Sequence, residues 1–212
     1  MDNKTKPIVF TIILLTIGIL FSIQFVDREL ALTVDGHLKG TKLLLYQIVS
    51  GLEWITAFSV SKYLLGGLIL LAGVVLYLMP ITRTISGYFF FIGATHLVSG
   101  LVAGSLKNVF LRSRPYEFIE NHQIRDFFID GGSSFPSAHV AHFFSLFIPL
   151  LFILSRNRFW VLVIPIVVAI QRVLSNDHYL SDVLAGVLIA YLFSLAFLKL
   201  FQRQPVWRST EQ

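Results

Sequence analysis

The chain of 212 residues is too hydrophobic for a soluble domain, because 55% of its residues are hydrophobic and only 14% are charged. Soluble domains carry about 25% charged residues, and a mean hydropathy of +0.75 is typical of an integral membrane protein. The same composition excludes disordered and fibrous proteins. The formal net charge of +5 does not indicate nucleic-acid binding, since the basic residues are scattered between apolar segments.

The sequence contains no cysteine, which limits the chemistry open to the protein. Disulfides, thiolate metal sites, iron–sulfur clusters and thiol nucleophiles are all excluded. Any covalent catalysis must therefore use Ser, Thr, His, Asp, Glu, Lys or Tyr.

Six apolar segments are predicted to form transmembrane helices. The first, residues 8–26, has nineteen positions without a formal charge, and a helix of that length crosses a hydrocarbon core of about 30 Å. It exceeds the apolar region of a signal peptide, about 7 to 15 residues, and no small-residue cleavage site follows, so we expect it to be retained. The other predicted spans are 63–79, 85–106, 138–155, 159–174 and 180–200.

Residues 27–60 combine charges with apolar side chains, which predicts an amphipathic helix at the membrane interface. No repeat or linker divides the chain. We therefore predict an all-α polytopic membrane bundle with one domain over 1–212. The first span and the interfacial segment occupy 1–60, the motif-bearing core occupies 60–200, and a cytoplasmic tail occupies 201–212.

Six spans would place both termini on the same side of the membrane. Lysines and arginines divide 8 to 9 between the terminal side and the opposite side, so their number does not orient the protein. The short turns that contain Arg83, and Arg156 with Arg158, hold no acidic residue, which favours the cytoplasm for these turns and for the termini. We expect an inner-membrane protein.

Three clusters of polar residues lie at span ends on the predicted non-cytoplasmic side. The first is KNVFLRSRP at 107–115, in which Lys107 ends the third span and Arg114 precedes Pro115. Long basic side chains near a span end often reach the interface only to be solvated. This motif alone does not distinguish such a role from a binding site.

The second cluster is SSFPSAH at 133–139, where an apolar helix is predicted to begin. Ser133 or Ser134 would cap this helix, with Pro136 in its first turn. The free N–H groups of 137–139 would then form an anion-binding helix end. An ordinary cap with a histidine one turn inside the helix is the alternative.

The third cluster is QRVLSNDHYLSD at 171–182, which joins the fifth and sixth spans through a turn. Arg172 ends one helix, His178 opens the next, and Asp182 follows four residues later on the same helix face. A carboxylate on one imidazole nitrogen leaves the other nitrogen free to act as a nucleophile. A structural pair at a helix end is the alternative.

Together the clusters provide three cations, an anion-binding helix end and two histidines, of which one has an evident carboxylate partner. This combination suits the spread negative charge of a phosphoryl group in transfer. A histidine pKa of about 6.5 allows one ring to be neutral while the other carries a proton near neutral pH.

In order and internal spacing the three clusters resemble the signature motifs of the type-2 phosphatidic acid phosphatase superfamily, which includes glucose-6-phosphatase, acid phosphatases and vanadium haloperoxidases. The resemblance covers roughly residues 60–200. It implies that His178 attacks phosphorus and forms a phosphohistidine, that Asp182 holds His178, and that His139 protonates the leaving oxygen. The residues implied to bind the phosphate oxygens are Lys107, Arg114, Arg172, Ser137 and the Ala138 amide.

The sequence departs from the family pattern at two positions. Ala138 stands where glycine is usual, and Gln171 stands where a serine usually precedes the arginine. A helix N-terminus does not need a backbone conformation that only glycine tolerates. We therefore expect activity to be retained, and the resemblance implies no metal and no cofactor.

Other polar residues allow weaker predictions. We expect Arg112 to be a solvated loop arginine, with contact to a second phosphate as the alternative. His142 is expected to pack between helices instead of lining the cavity, and His96 to be neutral and hydrogen-bonded within the third span. Acidic residues in 116–132 would either gate the site or solvate it.

The resemblance implies a phosphate-type site, and the membrane location favours a lipid substrate, so we predict an integral membrane lipid phosphatase. We expect it to be independent of metal, because no cluster has a convincing set of carboxylates and histidines for a hydrolytic metal site. Its substrate would be a lipid phosphate such as undecaprenyl pyrophosphate, phosphatidylglycerol phosphate, phosphatidic acid or a lipid A phosphate. Membrane lipids are the expected partners, with no nucleic acid and no obligatory protein partner. The alternatives are a lipid phosphotransferase with the same intermediate and, from another class, an anion or phospholipid transporter, which would place charges near the membrane midplane on several spans.

Overall fold

A computed structural model describes residues 5–37, 39–56, 58–121, 128–154 and 158–201. The regular structure of these residues is helical throughout, as the sequence predicts. In chain order the helices are α1 (Thr5–Phe21), a π-helical segment (Ser22–Val26), α2 (Asp27–His37), α3 (Lys39–Ile55), α4 (Leu64–Leu78), α5 (Arg83–Phe110), α6 (Pro115–Glu120), α7 (Ala138–Ile153), a 3₁₀ segment (Arg158–Leu162), α8 (Val163–Leu174) and α9 (Leu180–Phe201).

All six predicted spans coincide with helices, but the helices differ in length. The stretches long and apolar enough to cross a membrane are Lys6–Gly36, Arg83–Glu120 and Leu180–Phe201. The shorter apolar helices are Leu64–Leu78, Ala138–Ile153 and Trp160–Leu174. A bundle of apolar helices is therefore present, while the number of six crossings stays a prediction.

The first helix extends further than the sequence predicts. Residues 27–37 continue it through the π-helical segment, so the amphipathic helix begins at Lys39 and not at residue 27. The sequence predicts that the apolar span ends before Asp27, because Asp27 is charged. In the fold Asp27 is buried and paired with Arg112, and the helix continues past it.

The centre of the bundle is formed by α5, α7 and α9, which pack on one another, while α4 packs on α5 and α1 packs on α9. Small side chains at the contact between α5 and α7 allow close approach of the two backbones. These residues are Ala103, Ala138 and Ala141. Apolar side chains of α1 point outward, with Phe10 at 66% and Leu20 at 63% exposure, as a lipid-facing helix requires.

The N-terminal ends of α7 and α9 lie side by side, and this contact brings two of the three polar clusters together. The N–H of Ser137, which caps α7, donates to the carbonyl of Asp182 at 2.9 Å. A Cβ at Gly186 would lie 2.6 Å from the Ser137 carbonyl oxygen, so only glycine permits the approach.

Candidate active site

Backbone hydrogen bonds join the first cluster to the second. The segment 129–134 runs along the end of α5, with N–H···O distances of 2.7 to 3.1 Å to the carbonyls of residues 110–112. Gly132 makes this possible, because a Cβ there would lie 2.3 Å from the Arg112 carbonyl oxygen. All three clusters therefore lie at the same end of the central helices.

The structure brings His178 and Asp182 into contact, with 3.5 Å between His178 Nδ1 and Asp182 Oδ2. His178 lies in the turn before α9, where its N–H donates to the Arg172 carbonyl at 3.1 Å. Burial lowers the pKa of His178 from its ordinary value near 6.5, although the Asp182 carboxylate acts in the opposite direction. The imidazole is thus kept neutral near pH 7, in the form that a nucleophile needs.

Asp182 is fixed by several donors that the sequence did not reveal. Its Oδ2 accepts from Ser134 Oγ at 2.5 Å and from the Tyr179 N–H at 2.9 Å. Its Oδ1 accepts from Arg112 Nη1 at 2.7 Å. Such a carboxylate cannot rotate away from the imidazole, so the network orients His178.

Arg112 is buried and structural, which corrects both interpretations drawn from the sequence. Its side chain is 0% exposed and pairs with Asp182 on one side and with Asp27 Oδ2, at 2.8 Å, on the other. Ser181 also donates to Asp27 through its N–H and its hydroxyl. Arg112 links the first helix to the candidate nucleophile and is neither solvated nor directed at a second phosphate.

His139 lies one residue inside α7 and has a carboxylate partner from outside the three clusters. Glu53 Oε1, from α3, is 3.4 Å from His139 Nε2, and the same oxygen accepts from Arg172 Nη2. Arg172 Nη1 is 3.1 Å from Asp177 Oδ2. His139 also lies close enough to Arg172, His178 and Lys107 for their charges to act on it. These four candidate site residues are therefore neighbours in the fold.

Glu53 is the main residue that the sequence analysis missed. It lies in the segment predicted to form an interfacial helix, four residues after the buried Val49, and therefore on the same helix face. A carboxylate on that face was the sequence feature that could have identified Glu53. Burial raises the pKa of Glu53, and the Arg172 guanidinium opposes that shift. Glu53 thus shares one carboxylate oxygen between Arg172 and His139.

Lys107 and Arg114 approach the site from the end of α5. Lys107 Nζ donates to the Ser133 carbonyl, and Arg114 Nη2 is 3.5 Å from Ser133 Oγ. The charges of both residues act on His178. The Arg114 N–H also donates to Glu117 Oε2 at 2.7 Å, so this acid caps α6.

The start of α7 differs from the prediction. Ser137, and neither Ser133 nor Ser134, is the N-cap, with its hydroxyl accepting from the Val140 N–H at 3.5 Å, and Pro136 precedes the helix. The Ser137 N–H donates to the Asp182 carbonyl and is therefore not free to bind an anion. The N–H groups at the start of the helix therefore begin at Ala138.

His96 and His142 pack behind the site. His96 Nδ1 is 3.1 Å from the His142 carbonyl and 3.2 Å from Ser145 Oγ, within the helix packing. The His142 ring lies 5.2 Å from the Phe58 ring and 5.8 Å from the Tyr63 ring. Both histidines thus occupy the positions between helices that the sequence favoured.

The loop predicted at 116–132 is described only in part. Asp130 accepts from Ser113 Oγ at 2.5 Å, which ties that acid to the first cluster. Asp126 lies outside the described residues, as do Arg156 and the predicted tail over 202–212.

Comparison with known proteins gives an independent result. A family model for the PAP2 superfamily matches residues 87–205, more than half of the chain. A lipid A 1-phosphatase from Rhizobium johnstonii is 33% identical over 122 residues, which are 56% of this chain and 49% of that protein. The chain thus spans about half the length of this curated relative, and no solved structure matches it. The family match confirms the resemblance drawn from the motifs, and the chain belongs to the PAP2 superfamily.

Proposed function

We propose that the protein is an integral membrane lipid phosphatase. It hydrolyses a phosphate monoester or diphosphate of a lipid at the outer face of the cytoplasmic membrane, through a phosphohistidine on His178. The observation that carries this proposal is the meeting of His178, Asp182 and His139 with three cations at one end of the bundle.

In the first step the free imidazole nitrogen of His178 attacks phosphorus. The bond between phosphorus and the leaving oxygen breaks, and His139 gives its proton to that oxygen. In the second step water attacks the phosphohistidine, His139 takes the proton from that water, and inorganic phosphate leaves. Asp182 stabilises the positive charge that develops on His178 as the phosphohistidine forms, as a buried carboxylate does for a catalytic imidazole.

Lys107, Arg114 and Arg172 supply the positive charge that a phosphoryl group in transfer requires. Helix α7 adds the N–H of Ala138 and the positive end of its dipole. Ser137 serves indirectly in this proposal, because its N–H fixes the start of α7 against Asp182. These groups neutralise charge without a metal ion.

A lipid substrate is supported by the apolar helices around the site and by two separate cavities, each lined in part by residues of the three clusters. A polar cavity of about 410 Å³ beside Lys107 is lined by Lys62, Ser105, Asn108 and Ser133 and suits a head group. An apolar cavity of about 200 Å³ lies between α8 and α9, next to the third cluster. The named relative acts on lipid A, which favours a lipid A phosphate among the candidates.

The test is release of inorganic phosphate by the purified protein from four lipids: undecaprenyl pyrophosphate, phosphatidylglycerol phosphate, phosphatidic acid and lipid A. We expect turnover to persist in excess chelator and to fall with vanadate, whose trigonal bipyramidal adduct on His178 imitates the transition state. Transfer of the phosphate to a second lipid would favour a phosphotransferase. Loss of turnover in chelator, restored by magnesium, would overturn the metal-independent mechanism.

A further inference from the structure

Glu53 contacts two of the candidate site residues from outside the three clusters and outside the matched range 87–205. One of its oxygens lies 3.4 Å from His139 Nε2 and also accepts from Arg172. It is the one carboxylate of the described residues that forms an ion pair with His139.

Helix α3 holds this carboxylate in place. Val49, one turn before Glu53, is buried against Phe143 of α7 and Val168 of α8. After the helix ends, the Phe58 ring packs on the His139 ring with 4.4 Å between centroids. The α3 segment therefore orients the His139 ring through a carboxylate and an aromatic contact, which is more than membrane anchoring requires.

The chemistry assigned to His139 needs such a partner. To protonate a leaving oxygen His139 must carry a proton, yet Lys107 and Arg172 place positive charge beside it. Positive neighbours disfavour a protonated imidazole, and an adjacent carboxylate favours it. Asp182 provides the corresponding support for His178, so each histidine of the pair has its own acid.

We propose that Glu53 is a positioning residue for His139, which holds the ring in orientation and stabilises its protonated form for departure of the leaving group. This inference rests on the proposed function. The proton that reaches the leaving oxygen comes from His139 as the phosphorus–oxygen bond breaks, and water restores it in the second step. Glu53 neither gains nor loses a proton over the cycle.

The dependence of the rate on the leaving group tests the proposal. A nitrophenolate leaves without being protonated, whereas an alcohol leaving group needs a proton from His139. The full chain in detergent is assayed with dodecyl phosphate and with a nitrophenyl phosphate that carries the same dodecyl chain. We expect Glu53→Gln to lower kcat on dodecyl phosphate by about 10²-fold, as loss of acid catalysis does, and to leave kcat on the nitrophenyl ester within about twofold of wild type. Glu53→Asp should recover part of the loss.

The exposed Glu29 of α2 provides a matched control, and Glu29→Gln should change neither rate. An equal loss on both esters would assign Glu53 a structural role and overturn the proposal. A lower KM with unchanged kcat would show instead that Glu53 competes with phosphate for Arg172, which also overturns it. If wild type hydrolyses neither ester nor any lipid phosphate, the proposed function itself fails.

Discussion

At the scale of single residues, Arg112 and Arg114 have different roles although they are two positions apart. Arg112 is fully buried between two carboxylates, whereas the half-buried Arg114 extends toward Ser133 and the candidate phosphate site. Removing one partner of a buried ion pair leaves an uncompensated charge, which costs more than removing a cation from a partly solvated site.

Arg112→Ala should therefore lower the free energy of unfolding by about 3–5 kcal/mol, because it leaves Asp27 and Asp182 buried without their cation. Denaturant titration in detergent measures the loss. The matched variant Arg114→Ala should unfold like wild type but show a raised KM for lipid phosphate. Equal stability of the two variants would contradict the structural role of Arg112.

The pH dependence of activity follows from the environment of His178. Burial lowers its pKa below 6.5, so the neutral, attacking form persists as the pH falls and is lost only below that value. We expect the acid limb of kcat/KM to have its midpoint below pH 6.5 and His178→Ala to abolish turnover while the protein stays folded. A midpoint above that value would contradict the lowered pKa of His178, and turnover by the alanine variant would exclude His178 as the nucleophile.

At the scale of elements, the site depends on how closely α7 and α9 approach. The Ser137 carbonyl lies so close to Gly186 that it leaves no room for a Cβ, and the hydrogen bond from the Ser137 N–H to Asp182 lies at the same crossing. A displacement of α9 would move Asp182 and His178 relative to His139. Small displacements of catalytic groups reduce rates strongly, by about 10²-fold for 1 Å.

Gly186→Ala should therefore lower kcat at least about tenfold, since its methyl group would lie 2.6 Å from a backbone oxygen that cannot rotate away. Gly67→Ala is the matched control, because a Cβ at Gly67 in α4 meets nothing within 4 Å. Steady-state assays of both variants, with melting curves, check the prediction. Wild-type activity of Gly186→Ala would show that the crossing tolerates a methyl group.

At the scale of the whole molecule, the central question is which side of the membrane the site faces. Lys107 and Arg83 lie near opposite ends of α5, about 36 Å apart at 1.5 Å per residue, which is more than the thickness of a hydrocarbon core. We expect the Arg83 end in the cytoplasm because its turn is basic and free of acids. The site would then face the periplasm or the exterior.

Two single cysteines in this cysteine-free chain test the orientation. Asn121, at the end of α6, and Ile81, 95% exposed in the turn before α5, lie at opposite ends of the bundle. An impermeant thiol reagent should label Asn121→Cys and spare Ile81→Cys on spheroplasts, and it should label both after lysis. The reverse pattern would place the site in the cytoplasm and remove outer-leaflet lipids from the candidate substrates.

The amino-acid sequence was sufficient to predict the helical class, the family and the approximate positions of the apolar helices in the part of the chain that the structure describes. Runs of apolar residues indicate helices that are buried in lipid, and the spacing within a motif can be recognised without knowledge of the tertiary structure. The contact of His178 with Asp182 also followed from four-residue spacing, although His178 precedes the helix and does not lie within it.

The partners that come from distant parts of the chain depend on the folded arrangement of the helices. Asp27 and Glu53 are 85 and 119 positions from the arginines they pair with, Arg112 and Arg172. No local pattern encodes such a pairing, so the sequence alone predicts a solvated loop residue at Arg112 and an interfacial helix around Glu53. Likewise, the sequence predicts a Ser137 N–H that is free to bind an anion, but at the crossing of α7 and α9 this N–H donates to the Asp182 carbonyl. The physical reason is the same in each case: a buried charge or donor is satisfied by whatever group the packing of helices brings to it.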